Sequence, residues 1–478
     1  MPERYIVAIE IGSSKLRGAI GVADDSGMLD VLAVEEEKLV GSVRYGCINN
    51  VEVSNAINRI CERLEQYPRI SPRTIKGVYV SVGGRSTTST LIDVEARLGG
   101  EQEITREMIA DLRRRAAQNI PQERDVVDVA PVKFTVDNKT TVNPVGSYGT
   151  TVGARMCVVS CAPVIKRMIR RVIFEKVGLE INGYVARPLA EGALALTDEE
   201  RRMGAMLVDL GAETTTVTIY KNGAPLYVAT LPLGSRNITL DITHTLNHIE
   251  ERAEEIKKVS GNALGSESGR RTGADGIDYS EVNNYVHARA AEIITNILKQ
   301  IEYAGMRTTD LPGGIVLIGG GSRLRGFNEL LSQMSKMKVR MGTTQSAVRI
   351  SDSAVNAADN IDVISTLVAA AALPEAECMD EPEPQPEDTA EADTDGYEES
   401  YDDDEEEGSR IGRLDDDDDD FTRPDQKKKN KIKGKNKDKD RDTGKSSSEE
   451  DHASNKKSIW AIIRSRLATA MDEGDDMQ

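Results

Sequence analysis

Long apolar runs are missing from this chain of 478 residues, in which no stretch of eighteen consecutive apolar residues occurs. A helix needs about twenty such residues to cross a bilayer, so the sequence predicts no membrane span. The first ten residues, MPERYIVAIE, also lack the apolar stretch of a signal peptide. We therefore expect a cytoplasmic protein.

Cysteine is scarce as well. The chain has five cysteines, an odd number, and their spacing matches no metal-ligand motif. This excludes the disulfide framework of a small secreted protein and indicates reduced thiols. Cys157 and Cys161 lie within the apolar run MCVVSCA, so we expect both thiols to be buried.

Aromatic residues make up only 4% of the chain. None of them lies among the lysines of KKKNKIKGKNKDK, at residues 427–439. A protein that binds single-stranded nucleic acid usually offers aromatic rings on which the bases stack. We therefore interpret this block as a solvated linker that neutralises its acidic neighbour, the alternative being a basic patch for acidic lipid or nucleic acid. We expect no nucleic-acid partner.

The acidity of the chain is confined to its C-terminal tail. Residues 375–425 contain 25 acidic and 3 basic side chains, so the net charge of −19 belongs to this segment and the rest of the chain is slightly basic. Runs such as 402–407 and 415–420 repel themselves and have no apolar surface to bury. We predict that residues 374–456 form a disordered charged linker.

Three glycine-containing turns follow apolar, strand-like runs. In YIVAIEIGSSKLRGAIGVA and in AMLVDLGAETTTVTIY, a strand, a tight turn and a returning strand are predicted. In GGIVLIGGGSRLRGF, a strand and a glycine turn precede a helix that is predicted to begin at Leu324. Each turn alone is a weak signal, but the spacing is informative: about two hundred residues separate the first two, and about 110 separate the second from the third.

Two such hairpins facing each other can clamp the phosphates of a nucleotide, because the backbone N–H groups of each turn can donate to phosphate oxygens. A glycine-rich turn lets a flat base approach the backbone closely. Glu10 and Asp209 would place carboxylates near a phosphate-bound Mg²⁺, which prefers oxygen ligands and retains water. Lys15 would offset the charge of the phosphate tail.

The three segments resemble the phosphate 1, phosphate 2 and adenosine motifs of the actin and sugar-kinase fold. Two further stretches, at 232–243 and 251–261, resemble segments of bacterial actin homologues. VNPVGSYGTTV, at 142–152, resembles a stretch of the cell-division family FtsA. The resemblance covers roughly residues 4–372. It implies an α/β, actin-like fold of two lobes with an FtsA-type 1C insertion, followed by the acidic tail and an amphipathic helix.

The resemblance also implies a site for ATP. It assigns phosphate binding to Gly12, Ser13, Ser14, Lys15, Gly211, Ala212, Thr214 and Thr215. It assigns ribose and adenine binding to Gly234, Glu254, Lys257, Gly319, Gly320, Gly321 and Ser322. Glu10 and Asp209 are the expected Mg²⁺ positions, directly or through water.

The chain departs from the family at two of these positions, Glu10 and Ala212, and at the neighbouring Glu213. The family commonly has Asp where this chain has Glu10, and Gly where it has Ala212 and Glu213. A longer side chain at position 10 changes the distance to a metal, and a carboxylate at 213 lies beside the expected phosphate path unless it points to solvent. We expect ATP binding with at most slow hydrolysis, and no catalytic residue is singled out.

The resemblance implies an arrangement of subdomains. Subdomain 1A would comprise 4–83 and 162–205, the 1C insertion 84–161, subdomain 2A 206–241 and 313–373, and subdomain 2B 242–312. Within the insertion, TREMIADLRRRAAQNI predicts a helix between the strand-like runs LIDVEARLG and VVDVAPVKFTV. Its apolar face would contain Met108, Ile109, Leu112 and Ala116.

The end of the chain contains its only Trp, in KKSIWAIIRSRLATAM. We predict a membrane-targeting amphipathic helix at 457–472, because a rotation of about 100° per residue brings the large apolar side chains to one face. At about thirteen residues it is too short to span a bilayer, but it can lie in the interface. Docking on the folded part is the alternative. The predicted membrane-binding residues are Ile459, Trp460, Ile463, Leu467 and Met471.

These expectations describe a cell-division protein that resembles FtsA. By the resemblance, it would polymerise on the inner face of the cytoplasmic membrane at the division septum, bind the C-terminal peptide of FtsZ through subdomain 2B and help to recruit later division proteins. A PilM-type pilus-assembly protein is the first alternative, but an acidic tail ending in an amphipathic helix is not expected there. A small-molecule kinase of the same fold is the second, but no Asp is singled out as its general base.

Overall fold

The structure is a computed structural model. It describes residues 4–380 except 24–27, 40, 42, 45–46, 267–271, 273–275, 345–347, 353 and 375. Most of the predicted linker and the whole predicted helix at 457–472 lie outside the described residues.

The described part of the chain contains both strands and helices. The strands are β1 Arg4–Ile11, β2 Lys15–Ala23, β3 Leu29–Lys38, β4 Val43–Arg44, β5 Cys47–Ile48, β6 Thr74–Ile75, β7 Gly77–Val82, β8 Thr88–Glu103, β9 Asp125–Val136, β10 Lys139–Thr141, β11 Tyr148–Cys161, β12 Glu180–Ala186, β13 Ala205–Leu210, β14 Thr215–Lys221, β15 Ala224–Leu231, β16 Ile315–Ile318, β17 Val339–Met341, β18 Val348–Ile350 and β19 Met379–Asp380. The α-helices are α1 Asn50–Glu65, α2 Arg106–Gln118, α3 Pro163–Arg170, α4 Arg187–Ala195, α5 Asp198–Met203, α6 Ser235–Leu246, α7 Glu250–Ser260, α8 Tyr279–Tyr303, α9 Phe327–Ser335 and α10 Ile361–Ala371.

The first sheet has six strands in the order β12-β7-β1-β2-β3-β18. Successive side chains of a strand point to opposite faces, so adjacent residues of β1 lie on opposite sides of the sheet. Ile9 faces α1, because a Cβ atom on Gly18 of the neighbouring strand would lie close to both Ile9 and Ile60. Glu10 therefore faces the other side of the sheet, where α4 and α10 pack.

The second sheet has nine strands in the order β10-β9-β11-β8-β15-β14-β13-β16-β17. Its first four strands come from the segment 84–161, and the other five come from residues after 204. The two groups meet where Thr88 of β8 pairs with Ala229 of β15. Val228 N also donates to Ser89 Oγ at 2.7 Å, so the segment is hydrogen-bonded to the following part of the chain.

The segment 84–161 has a core of its own. Helix α2 spans Arg106–Gln118 and buries Leu112 and Ala116 against β8, β9 and β11, with Met108 and Ile109 partly buried on the same side. The predicted helix and the two predicted strands are therefore confirmed. Burial of the Cys157 and Cys161 thiols is confirmed too.

One predicted helix start is wrong. The helix that was expected to begin at Leu324 begins at Phe327, after a short 3-10 turn at Gly320–Arg323. Gly326 has a φ of 77°, a left-handed conformation that an α-helix does not contain. The turn and this glycine delay the helix by three residues. Within the described residues, no helix combines the length and apolar character that crossing a bilayer needs.

Candidate nucleotide site between two matched hairpins

The two predicted hairpins are present and have the same construction. Strands β1 and β2 pair antiparallel, as do β13 and β14. Gly12 N donates to Lys15 O at 2.9 Å, and Gly211 N donates to Thr214 O at the same distance. Each hairpin therefore closes on a turn of two residues, Ser13-Ser14 in one and Ala212-Glu213 in the other.

Glu10 and Asp209 occupy equivalent places, each two residues before the glycine of its hairpin. Arg187, the first residue of α4, joins them. Its Nη1 lies 2.8 Å from Glu10 Oε1, and its Nη2 lies 3.5 Å from Asp209 Oδ2. A single guanidinium group thus connects the two hairpins.

This guanidinium belongs to a buried cluster with two more carboxylates than guanidinium groups. Burial raises the pKa of Glu10 to about 7 and raises the pKa values of Glu191 and Asp209. Neither Glu10 Oε2 nor Glu191 Oε1 has a hydrogen-bond partner among the described residues. The cluster consists of Glu10, Glu191, Asp209 and Asp362 with Arg17 and Arg187.

Excess negative charge and unpartnered carboxylate oxygens suit a divalent cation, and Mg²⁺ is bound by oxygen ligands. The described residues contain no group of three His, Cys, Asp or Glu side chains that could hold a metal by themselves. A Mg²⁺ ion at this cluster would therefore take its remaining ligands from water or phosphate. The carboxylate oxygens of this cluster, completed by water or phosphate, are therefore suitable ligands for Mg²⁺.

The start of α6 is docked on the second turn. Ser235 N donates to Gly211 O at 2.9 Å, and Arg236 N donates to Ala212 O at 2.8 Å. A Cβ atom on Gly234 would lie 2.3 Å from Ala212 O, so only glycine allows this approach. The predicted residue Gly234 therefore holds the helix start against the proposed phosphate turn.

Lys257 ties α7 to α6. Its Nζ contacts Glu254 Oε2 at 2.6 Å and donates to Thr239 Oγ1 at 2.9 Å and Ser235 O at 3.2 Å. Burial lowers the pKa of Lys257. Glu254 and Lys257, which were predicted to contact the ribose and base, are thus placed beside the second turn but are also bound to each other.

The third turn lies against the same group of residues. Gly319 has a φ of 85°, and a Cβ atom there would lie 2.4 Å from Asp209 Oδ1. A Cβ atom on Gly321 would lie 2.8 Å from that of Ser235. A Cβ atom on Gly320 would meet no protein atom within 4 Å, so this glycine borders open space.

Three residues that were predicted to contact the phosphates or the base bind other groups of the protein. Lys15 Nζ lies 2.6 Å from Glu36 Oε1. The buried Thr215 hydroxyl donates to Leu233 O at 2.7 Å. Ser322 Oγ donates to Gly319 O at 2.6 Å and stabilises the third turn.

The side chain of Glu213 does not point to solvent. Its Oε1 lies 2.7 Å from Arg236 Nη1, and the pair is mostly buried. The solvent-facing alternative is therefore wrong. Arg236 also contacts Glu250, at the start of α7, so the departure at position 213 links the second turn to both helices of this region.

Four residues of the buried cluster were not predicted from the sequence: Arg187, Glu191, Arg17 and Asp362. A signal for the first two exists in ARPLAEGALAL, where an Arg and a Glu four residues apart interrupt an otherwise apolar helix. Residues four apart share one helix face, so this pair indicates a buried charged site. Arg17 and Asp362 carry no comparable local signal.

Comparison with known proteins agrees with the fold and the order of the motifs. The family model for cell division protein FtsA matches residues 206–365, and the model for the SHS2 domain inserted in FtsA matches residues 84–160. The structure of a PilM-PilN type IV pilus biogenesis complex has a TM-score of 0.54 at 17% identity and covers 77% of this chain and 99% of the other, which shows a shared fold.

Curated relatives extend the comparison. The cell division protein FtsA of Porphyromonas gingivalis is 30% identical over 352 residues, covering 70% of this chain and 72% of the relative. The FtsA proteins of Bacillus subtilis and Escherichia coli K12 are 28% and 25% identical, covering 70% and 73% of this chain and 78% and 86% of their own lengths. The chain belongs to the FtsA family of cell-division proteins and has its actin-like fold.

Proposed function

We propose that this chain binds ATP and Mg²⁺ between its two hairpins. The observation that carries the proposal is the equivalent placement of Glu10 and Asp209 on either side of Arg187, with the third glycine turn against Asp209. Backbone N–H groups of the turns at 12–15 and 211–214 would hold the phosphates, with Lys15 adding positive charge if it leaves Glu36. Residues 319–322 would border the base.

The chain's own residues would perform distinct tasks around the nucleotide. Glu10 and Asp209 would hold Mg²⁺ through water, and the ion would offset phosphate charge. Arg187 would couple the two hairpins when the nucleotide binds, because it contacts a carboxylate of each hairpin. No side chain is assigned as a general base, so we expect ATP turnover to be slow and to act as a conformational signal.

Replacing Gly320 with Val should lower ATP affinity about tenfold or more, because a side chain would fill the space that the base needs. The fold should be unaffected, since a Cβ atom at 320 meets no protein atom within 4 Å. Titration calorimetry gives the affinity, and thermal unfolding checks the fold. Gly100→Val is the matched control, because position 100 is equally open but lies on β8.

Asp209→Ala should weaken the Mg²⁺-dependent part of ATP binding, measured by the same titration with and without a chelator. Affinities like that of the wild type in both the Asp209 and the Gly320 variants would contradict the proposed nucleotide site.

The proposed cellular role is to tether FtsZ filaments to the inner face of the cytoplasmic membrane. Membership in the FtsA family supports this role. The FtsZ C-terminal peptide would dock on subdomain 2B, within 242–312, and the predicted helix at 457–472 would bind an anionic membrane. Co-sedimentation with FtsZ and lipid vesicles, with and without ATP, tests the role. A chain that binds neither FtsZ nor vesicles would favour a PilM-type role, for which the likeness of fold is the only support.

Polymerisation is the next part of the proposal. Actin-like subunits would stack head to tail through a heterologous contact, which generates filaments because it does not close on itself. The insertion at 84–161 would supply part of that contact. Deleting 84–161 should abolish filaments on vesicles seen by electron microscopy, with retained ATP binding as the control for folding. Filaments of normal length in this variant would contradict the assignment.

A further inference from the structure

A continuous helical segment, 163–177, lies on the surface of the part built on the first sheet. Helix α3 runs directly into a π-helical stretch, Arg171–Val177. Ile169, Val172 and Ile173 are buried beneath it. The solvent side, here called the 163–177 face, consists of Val164, Arg167, Arg170, Arg171, Phe174, Glu175 and Lys176.

The segment is strongly basic, with five Lys or Arg residues and one acidic residue, Glu175. Arg171 approaches Glu175 at 3.9 Å, and both side chains are more than half exposed. Among the described residues, no carboxylate lies within 4 Å of Arg167, Arg170 or Lys176. These three cations therefore have their charge available for an external partner.

Two apolar side chains stand among these cations. Val164 is 41% exposed and Phe174 is 44% exposed. Arg170 Cζ lies 4.7 Å from the centre of the Phe174 ring, so the guanidinium flanks the ring. Apolar side chains flanked by basic ones along one helix side are the composition of a segment that lies in a lipid interface.

The C-terminal end of this segment is linked by hydrogen bonds to the region of Asp380, the last described residue. Asp380 is held by Lys76, whose Nζ is 3.1 Å from Asp380 Oδ1. Lys76 O accepts a hydrogen bond from Glu180 N at 2.9 Å, and Leu179 N donates to Ile173 O at 3.1 Å. A series of hydrogen bonds and one ion pair therefore joins Asp380 to the π-helical stretch.

We propose that the 163–177 face is a second membrane-binding surface, which takes the headgroups of anionic lipids with its basic side chains and places Phe174 at the depth of the interface. The proposal rests on the membrane association proposed above for the tail, which would hold the folded part near lipid and raise the local concentration of headgroups. Each basic side chain at an anionic surface contributes about a fivefold gain in affinity at low salt.

The first test compares two double variants of the full-length chain on vesicles of phosphatidylcholine with and without phosphatidylglycerol. Arg167→Ala with Arg170→Ala should lower affinity for anionic vesicles about 30-fold at low salt, and this loss should shrink at high salt. The matched control is Arg202→Ala with Arg307→Ala, which removes the same charge at two exposed positions outside the insertion at 84–161. Equal losses in both double variants would overturn the proposal.

The second test uses the single Trp of the chain. In a Trp460→Phe background, Phe174→Trp places the only indole on the 163–177 face, and Met203→Trp places it at a similarly exposed position of α5 as a control. Emission of the Trp at 174 should shift to shorter wavelength on anionic vesicles and be quenched by brominated lipid, whereas the control should not respond. If the protein binds the vesicles but the emission of the Trp at 174 does not change, the proposal is overturned. The 163–177 face would then be assigned to binding an acidic partner protein. The tail anchor is tested separately by Trp460→Glu, so the two proposals can fail independently.

Discussion

Vesicle binding by the full-length chain is expected to be lost at physiological ionic strength when Trp460 or Ile463 is replaced with Glu. Five apolar side chains contribute about 1.5 to 3 kcal/mol each at full burial, whereas ordering the helix costs about 1 to 2 kcal/mol per residue before its hydrogen bonds form. One copy of the helix is therefore a marginal anchor. A carboxylate on its apolar face should lower affinity about 100-fold or more.

The loss should appear in co-sedimentation with vesicles, while ATP affinity stays unchanged. Attachment of the wild type should also rise steeply with polymerisation, because a linker of this length reaches on the order of 50 Å and lets neighbouring subunits engage one membrane. Undiminished vesicle binding by a chain truncated after Asn455 would show that the tip is not the anchor.

The second large effect is expected from Arg187→Ala. Removing this guanidinium would leave Glu10, Glu191 and Asp209 buried together without the cation that they share. Breaking a buried ion pair by deleting one partner costs about 3 to 5 kcal/mol. We therefore expect a thermal unfolding midpoint several degrees below that of the wild type, partly restored by Glu191→Gln in the same chain.

The pH dependence of this variant gives a sharper check. Burial, followed by the charge of Asp362, raises the pKa of Glu10 from 4.5 to about 7, so the folded state binds a proton that the unfolded state releases between these values. The stabilisation that protonated Glu10 contributes to the folded state is fully present below pH 4.5 and is lost as the pH rises through about 7. Arg187 lowers the pKa of Glu10, so the destabilisation by Arg187→Ala should be larger at pH 8 than at pH 5. An equal or larger loss at pH 5 would contradict the charge assignment.

The hairpins were predictable because their signals are local. Alternating β-branched residues on both sides of Gly12 or Gly211 determine a strand, a turn and a return within about fifteen residues. The same holds for α2, whose apolar face was read from its period. The start of α9 was missed because a glycine can continue a helix or, in the left-handed conformation that Gly326 adopts, interrupt it, and its sequence neighbours do not decide which.

The charged cluster was only half predictable. Glu10 and Asp209 were found from their place before each glycine, but Asp362 comes from a helix more than 150 residues further on than Asp209. Only the packing of α10 and α4 on one face of the first sheet brings Arg17, Arg187 and Asp362 together. The engagement of Thr215 with Leu233 is likewise set by the pairing of β14 with β15, which a motif does not specify.

The junction between β8 and β15 has a consequence for the order of synthesis. Its hydrogen-bonded residues, Ser89 and Val228, are separated by 139 positions. At about 5 to 20 residues per second, β15 follows β8 from the ribosome by roughly 7 to 28 seconds. Residues 84–161 can collapse on their own core during that interval, but this edge of β8 stays unpaired. An open strand edge is a template for pairing with another chain. During this interval, the open edge of β8 in one nascent chain can therefore pair with β15 of another chain on the same polysome.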